Sequence, residues 1–303
     1  MFASRPVWSS AVFVGENPLQ RVWKLPTEKP KILMNTKGLK LASDAVHTIA
    51  DPFVFTANGG HDLYLFAEEQ RRRRPGRIRA WHILDDLAVT DMGELNFGEG
   101  HLSYPFVIEH RDSIFIIPET SSLDCLAGQG EVALYRFVKF PTCVEKVAIL
   151  LQGPYVDSSI FIAGGYFYLF TYLDGDGLLF VSEQIEGPYV RHRDSPISTD
   201  NRNARCGGAV IAPTQDRPFA IRPGQDCSIA YGGDLTLMKI TKLTPDEYAE
   251  EMWARNLITG HFTWAATGAH HISQCVWKDQ VVTAVDGQQR DYLLNRFLGV
   301  LAR

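Results

Sequence analysis

HLSYPFVIEHRDSIFIIPE, residues 101–119, sets two short apolar runs, at 106–108 and 114–117, on either side of a polar turn at 110–113. Runs of this length bounded by turn residues read as a β-hairpin, which returns Glu119 to the sheet edge where Tyr104 began. The same shape recurs in ADPFVFTANGGHDLYLFAE (50–68), VDSSIFIAGGYFYLFTY (156–172), ARCGGAVIAPTQDRPFAIRP (204–223) and HHISQCVWKDQVVTAVDG (270–287). With Asp51, Tyr104, Asp157, Gly208 and His270 as equivalent opening residues, successive copies lie 53, 53, 51 and 62 positions apart. The second strands end at Glu68, Glu119, Tyr172, Arg222 and Asp286.

Five hairpins at a period near 50, each followed by further short strands, predict an all-β chain folded as a five-bladed β-propeller. In that architecture the innermost strands run the same way along one central channel. The opening and closing residues of every hairpin therefore gather at one mouth. Asp51, Glu68, Glu119, Asp157, Arg205, Arg222, Asp286 and the His270–His271 pair become neighbours in a concave, carboxylate-lined pocket, the default place to look for a site.

The remaining sequence fits around this frame as one domain over residues 1–303, with blades opening near 51, 101, 157, 205 and 267. Residues 1–45 carry short apolar runs suited to closing the ring. Thr244-Pro245-Asp246-Glu247 has the cap, proline and glutamate spacing of a helix start, so one short helix, to about Asn256, is expected between blades four and five. The tail from Tyr292 to Leu301 reads as a helix or a closing strand. Net charge is −5, which argues against nucleic acid as a partner. No run of 18 apolar residues is present, so no helical membrane span is expected, and no secretion signal is legible at the start. Five dispersed cysteines, without metal-ligand spacing, suggest free thiols and a cytoplasmic location.

Asp51 and Asp157 occupy the same place in their blades, immediately before an apolar strand, where aspartate is disfavoured by propensity. Glu119 closes the second hairpin. Acids grouped around one pocket are what cleavage or transfer of a glycosyl unit requires: one protonates the leaving oxygen, another activates the attacking hydroxyl or attacks carbon. Capping a turn or pairing with an arginine is the alternative for each of them. Arg205, Arg222, Gln225 and Asp226 cluster at the fourth blade, where arginine either grips a ligand or braces neighbouring blades. His101 and Tyr104 are expected to line the mouth, the aromatic ring against a sugar face. Only one of His270 and His271 should face the channel, since adjacent strand residues point to opposite faces. A hydrogen-bonding histidine is favoured there over a metal ligand. No metal or other cofactor is expected, and neither a nucleophile elbow nor a glycine-rich phosphate loop is present. The arginines at 71–74 read either as a solvated turn or as a grip for an anionic ligand.

ADPFVF, YLFAE, HLSYPF, IIPETSS, ALYRFVKFP, VDSSIF, ARCGG, RPGQDCSIAYGG, LTPDEY, HHIS and VDG, in this order across about residues 48–288, resemble the amino-terminal domain of plant glucosamine inositolphosphorylceramide transferases and its bacterial relatives. The resemblance implies a five-bladed propeller similar to arabinanase-, invertase- and levansucrase-type enzymes. It also implies that Asp51 is the first-blade base or nucleophile and Asp157 the third-blade acid that tunes and orients. The arabinanase-like enzymes take their general acid from a later blade. There this sequence offers Arg205, Arg222 and Asp226, and Glu119 is the substitute. The plant domain is joined to a separate glycosyltransferase domain, whose activity the resemblance does not carry over. The expected partner is a sugar or glycan, including one linked to a nucleotide or lipid phosphate. A glycan-binding or scaffold propeller without turnover is the alternative.

Overall fold

A computed structural model describes residues 5–15, 29–34, 46–71, 74–98, 100–120, 130–215 and 217–291. Five antiparallel sheets stand around one axis as the blades of a propeller, four of them four-stranded and one three-stranded. Blade one runs outward through Val46–Ala57, Asp62–Arg71, Arg77–Ile83 and Val89–Glu94. Blade two is Ser103–His110, Ser113–Glu119, Glu131–Lys139 and Cys143–Gln152. Blade three is Val156–Ala163, Tyr166–Leu173, Asp176–Ser182 and Val190–Arg191. The inner strands are apolar on both faces because each blade packs against its two neighbours, so Phe53, Phe66, Phe106, Ile116, Tyr168 and Phe170 fuse into one buried cluster.

Blade five joins the two ends of the chain. Ile272–Trp277 and Gln280–Asp291 pair in sequence, then Arg5–Gly15 adds beside the second of them and Ile32–Met34 beside that. The register Arg5↔Asp291 to Gly15↔Val281 closes the ring with the longest strand pair among the described residues. The tail from Tyr292 to Leu301 lies outside the described residues.

Two expectations change in blade four. Its regular strands are Ile221–Asp226, Asp234–Leu243 and Tyr248–Arg255. Residues 205–211 flank the first of these through isolated bridges, Cys206 to Gly224 and Ile211 to Ile221. The expected helix after Thr244 is absent. Thr244 does accept amide hydrogen bonds, from Glu247 at 3.0 Å and Asp246 at 3.4 Å, but it closes a hairpin turn rather than capping a helix. The chain then pairs with Asp234–Leu243, because a helix would leave that strand's outer edge unpaired.

The period of 53 has a backbone counterpart. Asp51, Tyr104 and Asp157 all adopt left-handed backbone, with φ of 51°, 46° and 53°, and Gly208 has φ of 132°. Each of the first three sits at a register break, between Ala50 and Phe53, Ser103 and Phe106, and Val156 and Ser159. A left-handed non-glycine residue costs roughly 1–2 kcal/mol. The bulge holding it turns its side chain toward the axis and frees its amide from the ladder.

Candidate active site at the channel mouth

Each freed amide meets a carboxylate. The Asp51 N–H donates to Asp286 Oδ2 at 3.3 Å, that of Tyr104 to Asp51 Oδ2 at 3.3 Å, and that of Asp157 to Glu119 Oε2 at 2.9 Å. The acids expected at the mouth therefore do converge, linked blade to blade around the channel. Asp51, Asp157, Glu68 and Asp286 are buried, and Glu119 is half-buried.

Burial raises the Asp51 carboxyl to about 7, with Asp286 and Asp157 adding to the rise and His270 opposing it. Burial also raises Asp157 to about 6, against the pull of Arg205. Glu68 is pushed well up, first by burial and then by the Asp51 and Glu119 charges beside it. Its Oε1 lies 3.4 Å from His101 Nε2. The Gly76 amide donates to His101 Nδ1 at 2.9 Å, so the neutral ring carries its proton on Nε2, facing Glu68. Burial and Arg77 hold His101 below the usual histidine range.

The two adjacent histidines have different roles. His270 Nδ1 is 2.5 Å from Asp286 Oδ2, and its ring stacks on Trp8 with centroids 4.0 Å apart. Burial opposes its charge, but Asp286 overturns this and holds His270 at about 9, with Asp286 itself below the usual carboxylate range. Burial drives His271 down to about 3, so it is neutral, and neither ring nitrogen has a hydrogen-bond partner among the described residues. Both rings face the same carboxylate: His270 Nε2 and His271 Nδ1 are 3.9 and 3.8 Å from Asp51 Oδ1. The expectation that only one faces the channel fails because both precede Ile272–Trp277, where strand alternation has not yet begun. Asp51, His270 and Asp286 place three ligand-capable atoms within 4.8 Å of one another. The direct ion pair between His270 and Asp286 engages two of these groups with each other.

On the opposite side, Arg205 Nε donates to Asp157 Oδ2 at 2.5 Å, and Gln225 Nε2 reaches the same oxygen at 3.2 Å. The Arg205 guanidinium lies over the rings of Tyr231 and Tyr172, at 4.9 and 5.6 Å from their centroids. Tyr231, 53% exposed, is the open aromatic surface of the site. The sequence reading missed it because it lies in a loop outside the repeated hairpins.

Three expected site residues are placed elsewhere or differently. Arg222 is fully buried in a bidentate pair with Glu250, at 2.8 and 2.6 Å, and also bonds the Asn203 carbonyl at 2.8 Å. The strand carrying Glu250 stands where a helix was expected, and the pair makes Arg222 a brace, the alternative to ligand binding, acting within blade four rather than between blades. Asp226 accepts the amide and the hydroxyl of Ser228, at 3.0 and 2.5 Å, and so caps a turn. Tyr104 has no exposed surface and packs edge-on to Phe53 and His271, so it cannot meet a sugar face. Its left-handed backbone directs the ring inward.

A five-bladed propeller whose channel mouth holds buried, proton-retaining acids beside an arginine and an exposed tyrosine is the class that fold and site define. Among solved structures the fold is similar to a GH43_1 enzyme from Xanthomonas citri (TM-score 0.55, 10% identity, 79% of this chain and 87% of that one). It is also similar to an α-L-arabinofuranosidase from Lactobacillus brevis (TM-score 0.52, 15% identity, 76% and 80%). At these identities the likeness concerns the fold alone. The chain belongs to the family described as glucosamine inositolphosphorylceramide transferase 1, N-terminal, which it matches over residues 4–288. Glucosamine inositolphosphorylceramide transferase 1 of Oryza sativa subsp. japonica is 30% identical over 257 residues, covering 80% of this chain and 33% of the relative. The Arabidopsis thaliana protein of the same name is 27% identical over 311 residues, covering 93% and 39%. The chain thus spans a third to two fifths of these relatives' length.

Proposed function

We propose that this protein is a carbohydrate-active propeller that binds a sugar at the channel mouth and cleaves or transfers a glycosyl unit there. The observation that carries this reading is the convergence of Asp51, Glu68, Glu119 and Asp157, with Asp51 held at about 7 and Asp157 at about 6. Glycosyl chemistry near neutral pH needs one carboxyl that keeps its proton and another that gives its proton up. Asp51, ionised in part near neutral pH, acts as base toward water or an acceptor hydroxyl. Glu119 faces the leaving oxygen as the acid, with Glu68, pushed well up, as the neighbouring carboxyl that keeps a proton there, and Asp157, fixed by Arg205 and Gln225, orients the pair. The name of the relatives, with its transferase and its inositolphosphoryl group, supports a substrate whose sugar carries a phosphate link.

The test is a substrate screen with nucleotide sugars and aryl glycosides side by side, on the wild type and on Asp51→Asn and Glu119→Gln. Turnover lost in the amides, with the fold intact, is expected. Full turnover in both ends the assignment. One observation favours a second reading, glycan binding without turnover: blade four presents Arg205 to Asp157 where the arabinanase-like pattern has a carboxyl. Sugar binding unchanged in Glu119→Gln, with no turnover in any arm, would select it.

A further inference from the structure

Beside the mouth, the hairpin of Asp62–Arg71 and Arg77–Ile83 encloses a second, strongly charged cavity of about 500 Å³. Its wall is Arg71, Arg74, Arg77, Arg79, Glu69, Glu94 and Pro75. Glu69, 6% exposed, is bracketed by Arg71 Nε at 3.0 Å and Arg79 Nε at 3.6 Å. Arg77 Nε lies 3.3 Å from Glu94, and Arg79 Nη2 lies 3.1 Å from Asp91 behind the wall. Four guanidiniums against two wall carboxylates, with Asp91 behind, leave the cavity net positive. Each guanidinium carries five N–H donors in a planar fork, far more than these carboxylates accept. The ion pairs hold the forks in place, and such an arrangement suits a tetrahedral oxyanion better than a single carboxylate.

This cavity and the acid site share a wall. Glu68 and Glu69 are consecutive on one strand and so point to opposite faces, one to the acids and one to the arginines. Gly76, at the foot of the arginine loop, donates its amide to His101, and its carbonyl accepts the Leu102 amide at 3.0 Å. Arg77 donates to the carbonyls of Gly76 and Gly100. Gly76 and Arg77 are therefore bonded to the segment that carries His101, and a ligand seated on the arginines lies next to the acids.

We infer that the Arg71–Arg74–Arg77–Arg79 cavity is a phosphoryl-binding site, which holds the phosphate or pyrophosphate of a phosphate-linked sugar while its sugar occupies the channel mouth. This deepens the carbohydrate reading, and rests on it for the sugar half of the ligand only. The alternative is a self-contained ladder of cross-strand ion pairs with no ligand.

Titration calorimetry of the whole chain with sodium pyrophosphate at fixed ionic strength separates the two. Binding is expected to weaken about tenfold or more in Arg71→Ala/Arg74→Ala, where the half-buried Arg71 and the exposed Arg74 guanidiniums are lost and the Glu69–Arg79 pair is kept. It is expected to tighten several-fold in Glu94→Gln, which removes an opposing charge. Two further arms, uridine diphosphate and phosphatidylcholine vesicles with and without phosphatidylinositol, identify whether the phosphoryl group comes from a nucleotide or a lipid. Binding in either arm that is lost in the double arginine variant supports the site. No pyrophosphate binding, equal binding in all three proteins, or binding in neither further arm overturns it. Lost turnover in Asp51→Asn with pyrophosphate binding intact leaves this site standing. Intact turnover with no pyrophosphate binding removes it and leaves the acid chemistry standing.

Discussion

Replacing Asp51 by asparagine should make this protein more stable, and that gain measures what the channel mouth costs the fold. The carboxyl is buried and raised from 3.8 to about 7, so its ionised form is disfavoured in the folded state. A raised carboxyl imposes no penalty below its unfolded value. The penalty grows as pH rises from about 4 to about 7 and is constant above. A rise of about three pH units at about 1.4 kcal/mol per unit amounts to about 4 kcal/mol at pH 8. Attraction to His270 is already contained in that net rise. Asparagine keeps the acceptor oxygen that the Tyr104 amide uses, and it tolerates left-handed backbone at φ of 51°. Urea unfolding at pH 8 should therefore show Asp51→Asn more stable by about 2–4 kcal/mol. The gap should shrink toward zero as pH falls to about 4. A variant less stable than the wild type at pH 8, or a gap independent of pH, would refute the claim that burial controls Asp51. The same substitution should abolish turnover, so stability and activity would move in opposite directions.

Glu250→Gln, which leaves the fully buried Arg222 charge without its carboxylate, should cost about 3–5 kcal/mol in urea unfolding, while sugar binding to the surviving folded protein is unchanged. His270 is raised to about 9, so its contribution to stability is full below about 6.5 and is lost as pH climbs through 9. Thermal melts should record that alkaline loss in the wild type and not in Asp286→Asn. A Cβ at Gly76 would collide with Glu68 Oε1 and approach His101 Cε1 to 2.7 Å. Gly76→Ala should therefore lower turnover far more than it lowers the thermal midpoint. Tyr231→Ala should weaken glycan binding in titration calorimetry and leave the melting curve in place, because Arg205 keeps its bond to Asp157.

Much of this architecture was legible in one dimension. A hairpin is a local object, so its two apolar runs and polar turn leave a repeating mark, and the marks at 51, 104 and 157 coincide with the three left-handed bulges. The convergence of Asp51, Glu68, Glu119 and Asp157 followed from that repeat once the ring was assumed. The residues between the hairpins carried no such mark. Thr244 to Glu247 has the same local chemistry whether it caps a helix or closes a turn, and only the waiting edge of Asp234–Leu243 decided between them. With the strand came Glu250, which took Arg222 out of the site.

The sequence by itself determined that the chain is all-β, that it repeats five times, and which residues open each repeat, because strand alternation and turn chemistry act over a few neighbouring positions. Only the tertiary structure decided which carboxylate faces which amide, which histidine is charged, and that Tyr104 is sealed while Tyr231 is open. Those outcomes depend on desolvation and on distances of a few ångströms between residues as far apart in sequence as Asp51 and Asp286. Such distances exist only once the ring has closed.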